Sequence, residues 1–135
     1  KGMNTPARTK FITISVRQGA STEECLQVAY TVAESPLVKT AFFASDPNWG
    51  RILAAVGRSG LKDLALDAIA ITLGDVSLIS NGELDPNYVE EMAQIEMDKQ
   101  EITIEIKLAR GHCGETIWTS DLSYDYVKIN AEYRT

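Results

Sequence analysis

Alternating apolar and polar residues along the chain predict a set of β-strands. In residues 11–17 every second side chain, beginning with Ile12, is aliphatic, which is the pattern of a strand with one buried face. Residues 102–108 show the clearest alternation. Gly74-Asp75 and Asn81-Gly82 are typical of tight turns between short strands. Further strands are predicted at residues 69–73, 76–79, 117–122 and 124–130, the last two either as separate strands or as one bent strand.

Apolar residues at spacings of three and four predict helices between the strands. Ser21 followed by Glu24 is a capping-box pattern and marks the start of the first helix. Asp46-Pro47 and Asp85-Pro86 predict two further starts, because an aspartate can cap a helix and a proline needs no amide partner in its first turn. The apolar run 41–44 fits either a buried strand or a helix. The predicted inward faces are Cys25, Val28, Ala29 and Val32 in the first helix, Trp49, Ile52, Leu53 and Val56 in the second, and Val89, Met92 and Ala93 in the third.

The order of these elements predicts an α+β domain, a layered mixed sheet with packed helices, because helices interleave with hairpins and not with single strands. A chain of 135 residues fits one domain. No apolar run reaches the ~20 residues that cross a bilayer, and a net charge of -6 argues against a nucleic-acid partner. We expect no membrane partner and a soluble intracellular protein in which Cys25 and Cys113 are reduced.

The residue types alone do not assemble a catalytic centre. His112 is the only histidine, and it precedes Cys113 in a glycine-flanked loop without the surroundings of a cysteine hydrolase, so no metal site is expected. Asp121 and Asp125 fit an acid–base pair less well than a solvated turn. Residues 57–60 resemble a phosphate loop but follow a helix, where the amide dipoles point away. An exposed helix face is predicted for Glu90, Glu91, Glu96 and Asp98.

Four stretches are more specific, and together they carry a family resemblance. They read SPLVKTA at residues 35–41, DPNWGRI at 46–52, DLSYDYV at 121–127 and INAEYRT at 129–135. Their order and spacing resemble the ornithine acetyltransferase (glutamate N-acetyltransferase) family, and the chain is similar to the C-terminal part of its larger, β subunit. On this resemblance residues 9–135 are the C-terminal domain, and residues 1–8 are a lead-in that does not match.

The resemblance implies the C-terminal domain of an N-terminal-nucleophile-like fold. Members of the family move an acetyl group from N-acetylornithine to glutamate in arginine biosynthesis, and bifunctional members also accept acetyl-CoA. Their precursor cuts itself before an internal threonine, which then begins the larger subunit and is the nucleophile. No other cofactor is implied. The implied partners are the remaining subunit and ornithine, glutamate and their N-acetyl forms, in a cytoplasmic oligomer.

No catalytic residue is expected within this chain, because it begins at Lys1 and contains neither the family's cleavage motif nor its threonine. By the terminal motif, Asn130 and Thr135 match two substrate-binding positions, and a short amide and a hydroxyl suit a zwitterionic amino acid. Two interpretations stay open for Trp49 and Arg51. Either both residues line the acceptor pocket, or, as we favour, Trp49 anchors the core and Arg51 forms a structural ion pair.

One departure from the family bears on function. Residues 5–10 read TPARTK where members carry Gly-Glu-Gly-Ala-Thr-Lys, so Pro6 replaces the glutamate that contacts the substrate's amino group. Two hypotheses follow. The chain is part of an acetyltransferase and is inactive alone, or it is a non-catalytic, truncated or diverged module for assembly or amino-acid binding.

Overall fold

A mixed sheet forms from the strands that the alternating pattern predicts. The structure is a computed structural model that describes residues 9–120 and 127–129. Within them the helices are α1 (Thr22–Glu34), α2 (Pro36–Phe43), α3 (Trp49–Gly57) and α4 (Glu90–Met97), with a short 3-10 helix at Leu66–Ala68. The strands are β1 (Phe11–Gly19), β2 (Ala70–Leu73), β3 (Val76–Ser80), β4 (Glu83–Leu84), β5 (Glu101–Lys107), β6 (Cys113–Ser120) and β7 (Val127–Ile129).

The seven described strands pair in the order β4-β3-β2-β5-β1-β6-β7. The central strands β1 and β5 are parallel, whereas the other described pairs are antiparallel. Direct cross-strand partners form a row of fully buried aliphatic side chains through the middle of the sheet. This row consists of Leu73, Ile104, Ile14 and Ile117.

The two faces of the sheet differ in chemistry, as the period of two requires. One face carries Ile12, Ile14 and Val16 of β1, and their side chains form one core with buried residues from all four described helices. The opposite face is polar and borders an open cleft of about 370 Å³. Its lining residues are Thr13, Ser15, Arg17, Thr72, Gly74, Thr103, Glu105 and Thr116.

Serine side chains cap the first two helices at their N-termini. Ser21 Oγ accepts a hydrogen bond from the Glu24 amide at 3.1 Å, while the Glu24 carboxylate accepts one from the Ala20 amide at 2.8 Å. Ser21 is therefore confirmed as the cap, and the buried face of α1 is confirmed too, whereas the Glu24 carboxylate binds the amide before the cap and not that of Ser21. Ser35 ends α1 and caps α2 through its hydroxyl, with Pro36 in the first turn. The apolar run 41–44, which fitted either a strand or a helix, is helical as far as Phe43.

The predicted starts of the two later helices are wrong in their capping residue. Asn48, and not Asp46, caps α3, because its Oδ1 accepts from the Arg51 amide at 3.1 Å. The Asp46 carboxylate instead accepts from the Asn48 side-chain amide at 3.1 Å. Asp85 forms a turn, accepting from the Asn87 amide at 2.7 Å and the Ser77 hydroxyl at 2.6 Å.

Helix α4 consequently begins later than predicted, at Glu90, without a side-chain cap. Of its predicted inward residues only Ala93 is buried, and Ala93 and Met97 face the core at an i, i+4 spacing. Val89 and Met92 are 43% and 55% exposed. The predicted apolar face of this helix therefore lies partly in solvent.

The predicted turns are confirmed, with one boundary shifted. Asn81 and Gly82 have φ values of 53° and 75° and connect β3 to β4, as in a two-residue hairpin. β6 begins at Cys113 and not at Ile117, so the connection from β5 is shorter than predicted. β6 and β7 are two separate antiparallel strands within the described residues.

Candidate functional site

A cleft of about 260 Å³ lies where the start of α3 approaches the start of α4. The Asn48 cap fixes the backbone of Trp49 as the first residue of α3, and the turn at Asp85 places Tyr88 opposite it through a Tyr88 amide bond to the Asp85 carbonyl of 2.9 Å. Both rings are half-buried. The cleft is lined by Asp46, Pro47, Asn48, Trp49, Gly50, Tyr88 and Glu90.

The charged side chains that line this cleft are acidic. Asp46 and Glu90 are its acidic residues, and none of its lining residues is basic. Burial raises the pKa of the Tyr88 hydroxyl, and the negative charges of Glu90, Asp46 and Glu91 raise it further. Tyr88 therefore stays a neutral hydrogen-bond donor at physiological pH, because the charged form of a phenol is disfavoured both by desolvation and by nearby carboxylates.

The structure separates the two residues predicted as pocket-lining. Trp49 packs against the core and also lines the cleft, and a role in the acceptor pocket stays a prediction. Arg51 does not line this cleft. Its guanidinium Nη1 donates to the carbonyl oxygen of Leu37 at 3.2 Å, which ties α3 to the first turn of α2.

Asn130 and Thr135, the predicted substrate-binding residues, lie outside the described residues, and their role stays a prediction. The residue before Asn130 is the last residue of β7, Ile129, whose backbone pairs with Ile117 of β6. Asp121 and Asp125 also lie outside the described residues.

The remaining candidates of the sequence have simple structural positions. His112 is exposed ahead of β6. Gly57 ends α3, so residues 57–60 lie at a helix C-terminus, as expected. Glu96 pairs with Lys99 at 3.0 Å, and the other three residues of the predicted acidic face are exposed. Cys25 and Cys113 are free thiols.

The described part of the chain offers neither a metal-binding cluster nor a membrane-spanning helix. In residues 9–120 and 127–129, His, Cys, Asp and Glu side chains do not gather in groups of three or more that could hold a metal ion. Among the same residues, none of the helices has the length and apolar character of a membrane span.

One charged site was missed by the sequence analysis. Glu24 accepts two hydrogen bonds from the Arg110 guanidinium, and this contact is the largest cause that lowers the pKa of the Glu24 carboxyl. Arg110 also donates to the Asp63 carbonyl at 3.0 Å. The sequence offers no local signal for this pair, because Arg110 lies on a distant connection between β5 and β6.

Comparison with known proteins identifies the family. The model of the ArgJ family matches residues 4–135. The chain belongs to the ArgJ family. It is 59% identical over 127 residues to the arginine biosynthesis bifunctional protein ArgJ of Pseudomonas fluorescens, and equally identical to that of Pseudomonas syringae. The corresponding protein of Psychrobacter arcticus is 57% identical.

The coverage of these alignments is unequal. Each covers 94% of this chain but 31% of the relative, so the chain spans about a third of the length of the curated relatives it matches. The predicted resemblance to the C-terminal part of this family is confirmed.

A solved structure supports the fold assignment. The crystal structure of the arginine biosynthesis bifunctional protein ArgJ from Bacillus halodurans superposes with a TM-score of 0.79 and 33% sequence identity. The superposition covers 89% of this chain and 56% of that chain. The predicted fold class, an α+β domain with a mixed sheet, is therefore confirmed.

Proposed function

We propose that this chain is the C-terminal part of an acetyltransferase of arginine biosynthesis that moves an acetyl group from N-acetylornithine to glutamate. The observation that carries the proposal is the 59% identity, over 94% of the chain, to the ArgJ protein of Pseudomonas fluorescens. Because the chain spans about a third of such relatives, we infer that it is inactive alone and needs the remaining segment.

The proposed reaction has two steps through a threonine that this chain does not contain. The threonine oxygen attacks the acetyl carbonyl of N-acetylornithine, the C–N bond breaks, and ornithine leaves with a proton on its amine. The amine of glutamate then attacks the acetyl-threonine ester, forms N-acetylglutamate and returns the proton to the threonine oxygen. In a bifunctional enzyme, acetyl-CoA supplies the acetyl group instead. No other cofactor is required by this scheme.

The contribution of this chain is to bind substrate and to pack against the rest of the enzyme. Asn130 and Thr135 are proposed to fix the amino acid by directional hydrogen bonds. Exposed apolar side chains support association with the remaining subunit and an oligomer. They include Leu37, Phe43, Met92 and Ile95, which are 52%, 68%, 55% and 62% exposed.

Two further properties belong to the same proposal. The aligned region is 56% of the solved relative's chain but 31% of each curated relative. The solved chain is therefore roughly half as long as the curated relatives. This difference supports a precursor that cuts itself into two subunits. The free thiols of Cys25 and Cys113 support a reducing compartment, the cytoplasm.

The test is acetyl exchange between N-acetylornithine and glutamate. The chain is produced alone and together with the preceding segment of the Pseudomonas fluorescens protein. We expect exchange only from the combination, and a loss of about tenfold or more with Asn130→Ala or Thr135→Ala, since each removes a substrate hydrogen bond. Thr22→Ala, at an exposed position of helix α1, is the control. Exchange by the isolated chain, or full exchange by both site variants, contradicts the proposal.

The replacement at Pro6 favours a second candidate, a non-catalytic module for assembly or amino-acid binding. The combination is therefore also measured with Pro6→Glu. If exchange appears only with this variant, the native chain is the diverged module. Calorimetry with ornithine and glutamate then decides whether the isolated chain binds amino acids.

A further inference from the structure

The two cysteines of the chain lie on elements that meet where α1 begins. Cys25 is fully buried in α1, and Cys113, the first residue of β6, is partly exposed. The Cys25 thiol donates to the Cys113 carbonyl oxygen at 3.5 Å, and the Cys113 thiol donates to the Ala20 carbonyl oxygen at 3.8 Å. The Cys25 thiol thus contacts β6, and the Cys113 thiol contacts the connection that leads into α1.

Gly19 makes room for this arrangement. It is the direct cross-strand partner of Cys113 in the β1–β6 pair, and a Cβ on Gly19 would lie 2.3 Å from Cys25 Sγ. Residues directly opposite each other in an antiparallel pair have Cβ atoms about 4.5–5.5 Å apart on one face of the sheet. The Cys25 sulfur therefore lies where a cross-strand neighbour of Cys113 would place its side chain.

The backbone segments around the two thiols also approach closely. A Cβ on Gly111 would lie 2.5 Å from the Gly19 carbonyl oxygen, and the Gly111 amide donates to the Gln18 carbonyl at 3.0 Å. The connection that leads into β6 is thus held against the end of β1. A disulfide requires Cβ atoms about 3.5–4.5 Å apart, and such close backbone contact allows side chains from two elements to meet that requirement.

The two thiols differ in their access to solvent. Burial, followed by the charge of Glu24, raises the pKa of the Cys25 thiol to about 11, and only a thiolate attacks a disulfide. Cys113 is partly exposed, so an oxidant from solvent meets it first. Cys25 then lies beside the residue that has reacted. This proximity offsets the low reactivity of Cys25, since a neighbouring group acts at a high effective concentration.

We propose that Cys25 and Cys113 form a reversible disulfide by exchange with a low-molecular-weight disulfide, after the Cys113 side chain rotates toward Cys25. The Cys113 sulfur attacks the small disulfide, its S–S bond breaks, and one small thiol leaves with the Cys113 proton. The Cys25 sulfur then attacks the Cys113 sulfur, and the second small thiol leaves with the Cys25 proton. The two cysteines are oxidised and the small disulfide is reduced to two thiols. The bridge links α1 to β6, is transient in a reducing compartment, and does not depend on the acetyl transfer proposed above.

The test equilibrates the 135-residue chain with mixtures of reduced and oxidised glutathione. After an acid quench and unfolding, the free thiols are alkylated and the bridged chains are counted by mass spectrometry. We expect the equilibrium constant for the bridge to be at least about tenfold higher in the folded chain than in urea, because thiols 88 residues apart rarely meet in an unfolded chain. Peptide mapping should join Cys25 to Cys113. Equal constants, or glutathione that stays on Cys113 while Cys25 remains free, overturn the inference.

A matched variant moves one thiol out of reach. Glu23→Cys with Cys25→Ala keeps two cysteines but places the first at an exposed position of α1, so the bridge constant of the folded chain should fall at least about tenfold. Cys113→Ser, at a partly exposed position, should leave Cys25 free of glutathione, and it covers the case in which the double variant does not fold. A bridge that forms equally well from position 23, or glutathione on Cys25 in folded Cys113→Ser, overturns the inference.

Discussion

Arg110 contacts both carboxylate oxygens of Glu24, with Nε 2.7 Å from Oε2 and Nη2 3.0 Å from Oε1. The same guanidinium donates to the Asp63 carbonyl, and the same carboxylate accepts from the Ala20 amide. Three connections of the fold, before α1, after α3 and after β5, therefore meet at one partly buried ion pair.

Removing this charge should lower stability. We expect Glu24→Gln to reduce the free energy of unfolding by roughly 1–2 kcal/mol, since it replaces two charge-assisted hydrogen bonds in a partly solvated setting. Urea denaturation measures the change. Glu23→Gln, on the next residue and exposed, is the matched control and should change stability by less than about 0.5 kcal/mol. Similar losses in the two variants would show that the ion pair does not contribute.

The stability contributed by Glu24 should depend on pH. The Arg110 guanidinium holds the pKa of the Glu24 carboxyl below the usual value of a glutamate, so the folded state binds this proton less readily than the unfolded state. The contribution is complete above the unfolded pKa and is lost as the pH falls through the folded pKa. The difference in urea midpoint between the native chain and Glu24→Gln should be constant near neutral pH and shrink below about pH 4.5. A difference that grows on acidification would reverse the assigned sign.

Gly82 should not tolerate a side chain. Its φ is +75°, and an added Cβ would overlap the Leu66 carbonyl oxygen and lie 2.7 Å from the Asp67 Cα. We expect Gly82→Ala to cost roughly 2–4 kcal/mol, because backbone strain and overlap with backbone atoms add. Gly50→Ala is the control, since its Cβ would find its nearest neighbour at 3.6 Å within α3, and it should be neutral or slightly stabilising. Thermal unfolding of both variants tests the difference.

The central row of aliphatic side chains should dominate the core energetics. Ile104 is fully buried between Ile14 of β1 and Leu73 of β2, and we expect Ile104→Ala to cost about 2–5 kcal/mol through lost burial and the cavity left behind. Phe11→Ala removes a larger side chain that is 51% exposed and should cost less. Comparable losses by denaturant unfolding would show that this row is not the main core contact.

The two thiols should differ in reactivity. Burial, followed by the charge of Glu24, raises the pKa of the Cys25 thiol to about 11, and only the thiolate is an effective nucleophile. At pH 8 we expect iodoacetamide to modify Cys113, which is partly exposed, well before Cys25. Unfolding should make both residues react. Mass spectrometry of the alkylated chain gives the order, and early labelling of native Cys25 would contradict the structure.

Local patterns predicted those parts of the fold that are set by local chemistry. The alternation around Ile14 and the cap at Ser21 were confirmed because each acts within a few residues. The rule that Asp-Pro starts a helix failed at Asp85-Pro86, because an aspartate can either cap a helix or stabilise a turn. The Asp85 carboxylate bonds Asn87 and Ser77 in a turn, and α4 starts without it.

Contacts between distant residues could not be predicted from patterns. The alternation of β1 and β5 shows that each is a strand, but not that Ile14 and Ile104 are parallel neighbours. For the candidate site, Trp49 was predicted to line the acceptor pocket or to anchor the core. It packs against the core and lines the cleft beside α3, and its part in an acceptor pocket stays a prediction. Tyr88 was missed because its place beside Trp49 results from the turn at Asp85, where the pattern predicted the start of a helix.

The parallel pairing of β1 with β5 has a consequence for how the chain folds. Its register joins Phe11 to Glu101 and Arg17 to Lys107, so nearly the whole intervening polypeptide must be gathered before the two innermost strands can meet. The entropy cost of closing such a long loop arises before the contacts between the two strands can offset it. We therefore expect slow, all-or-none folding, in which neither half of the sequence retains an ordered sheet when the two are separated.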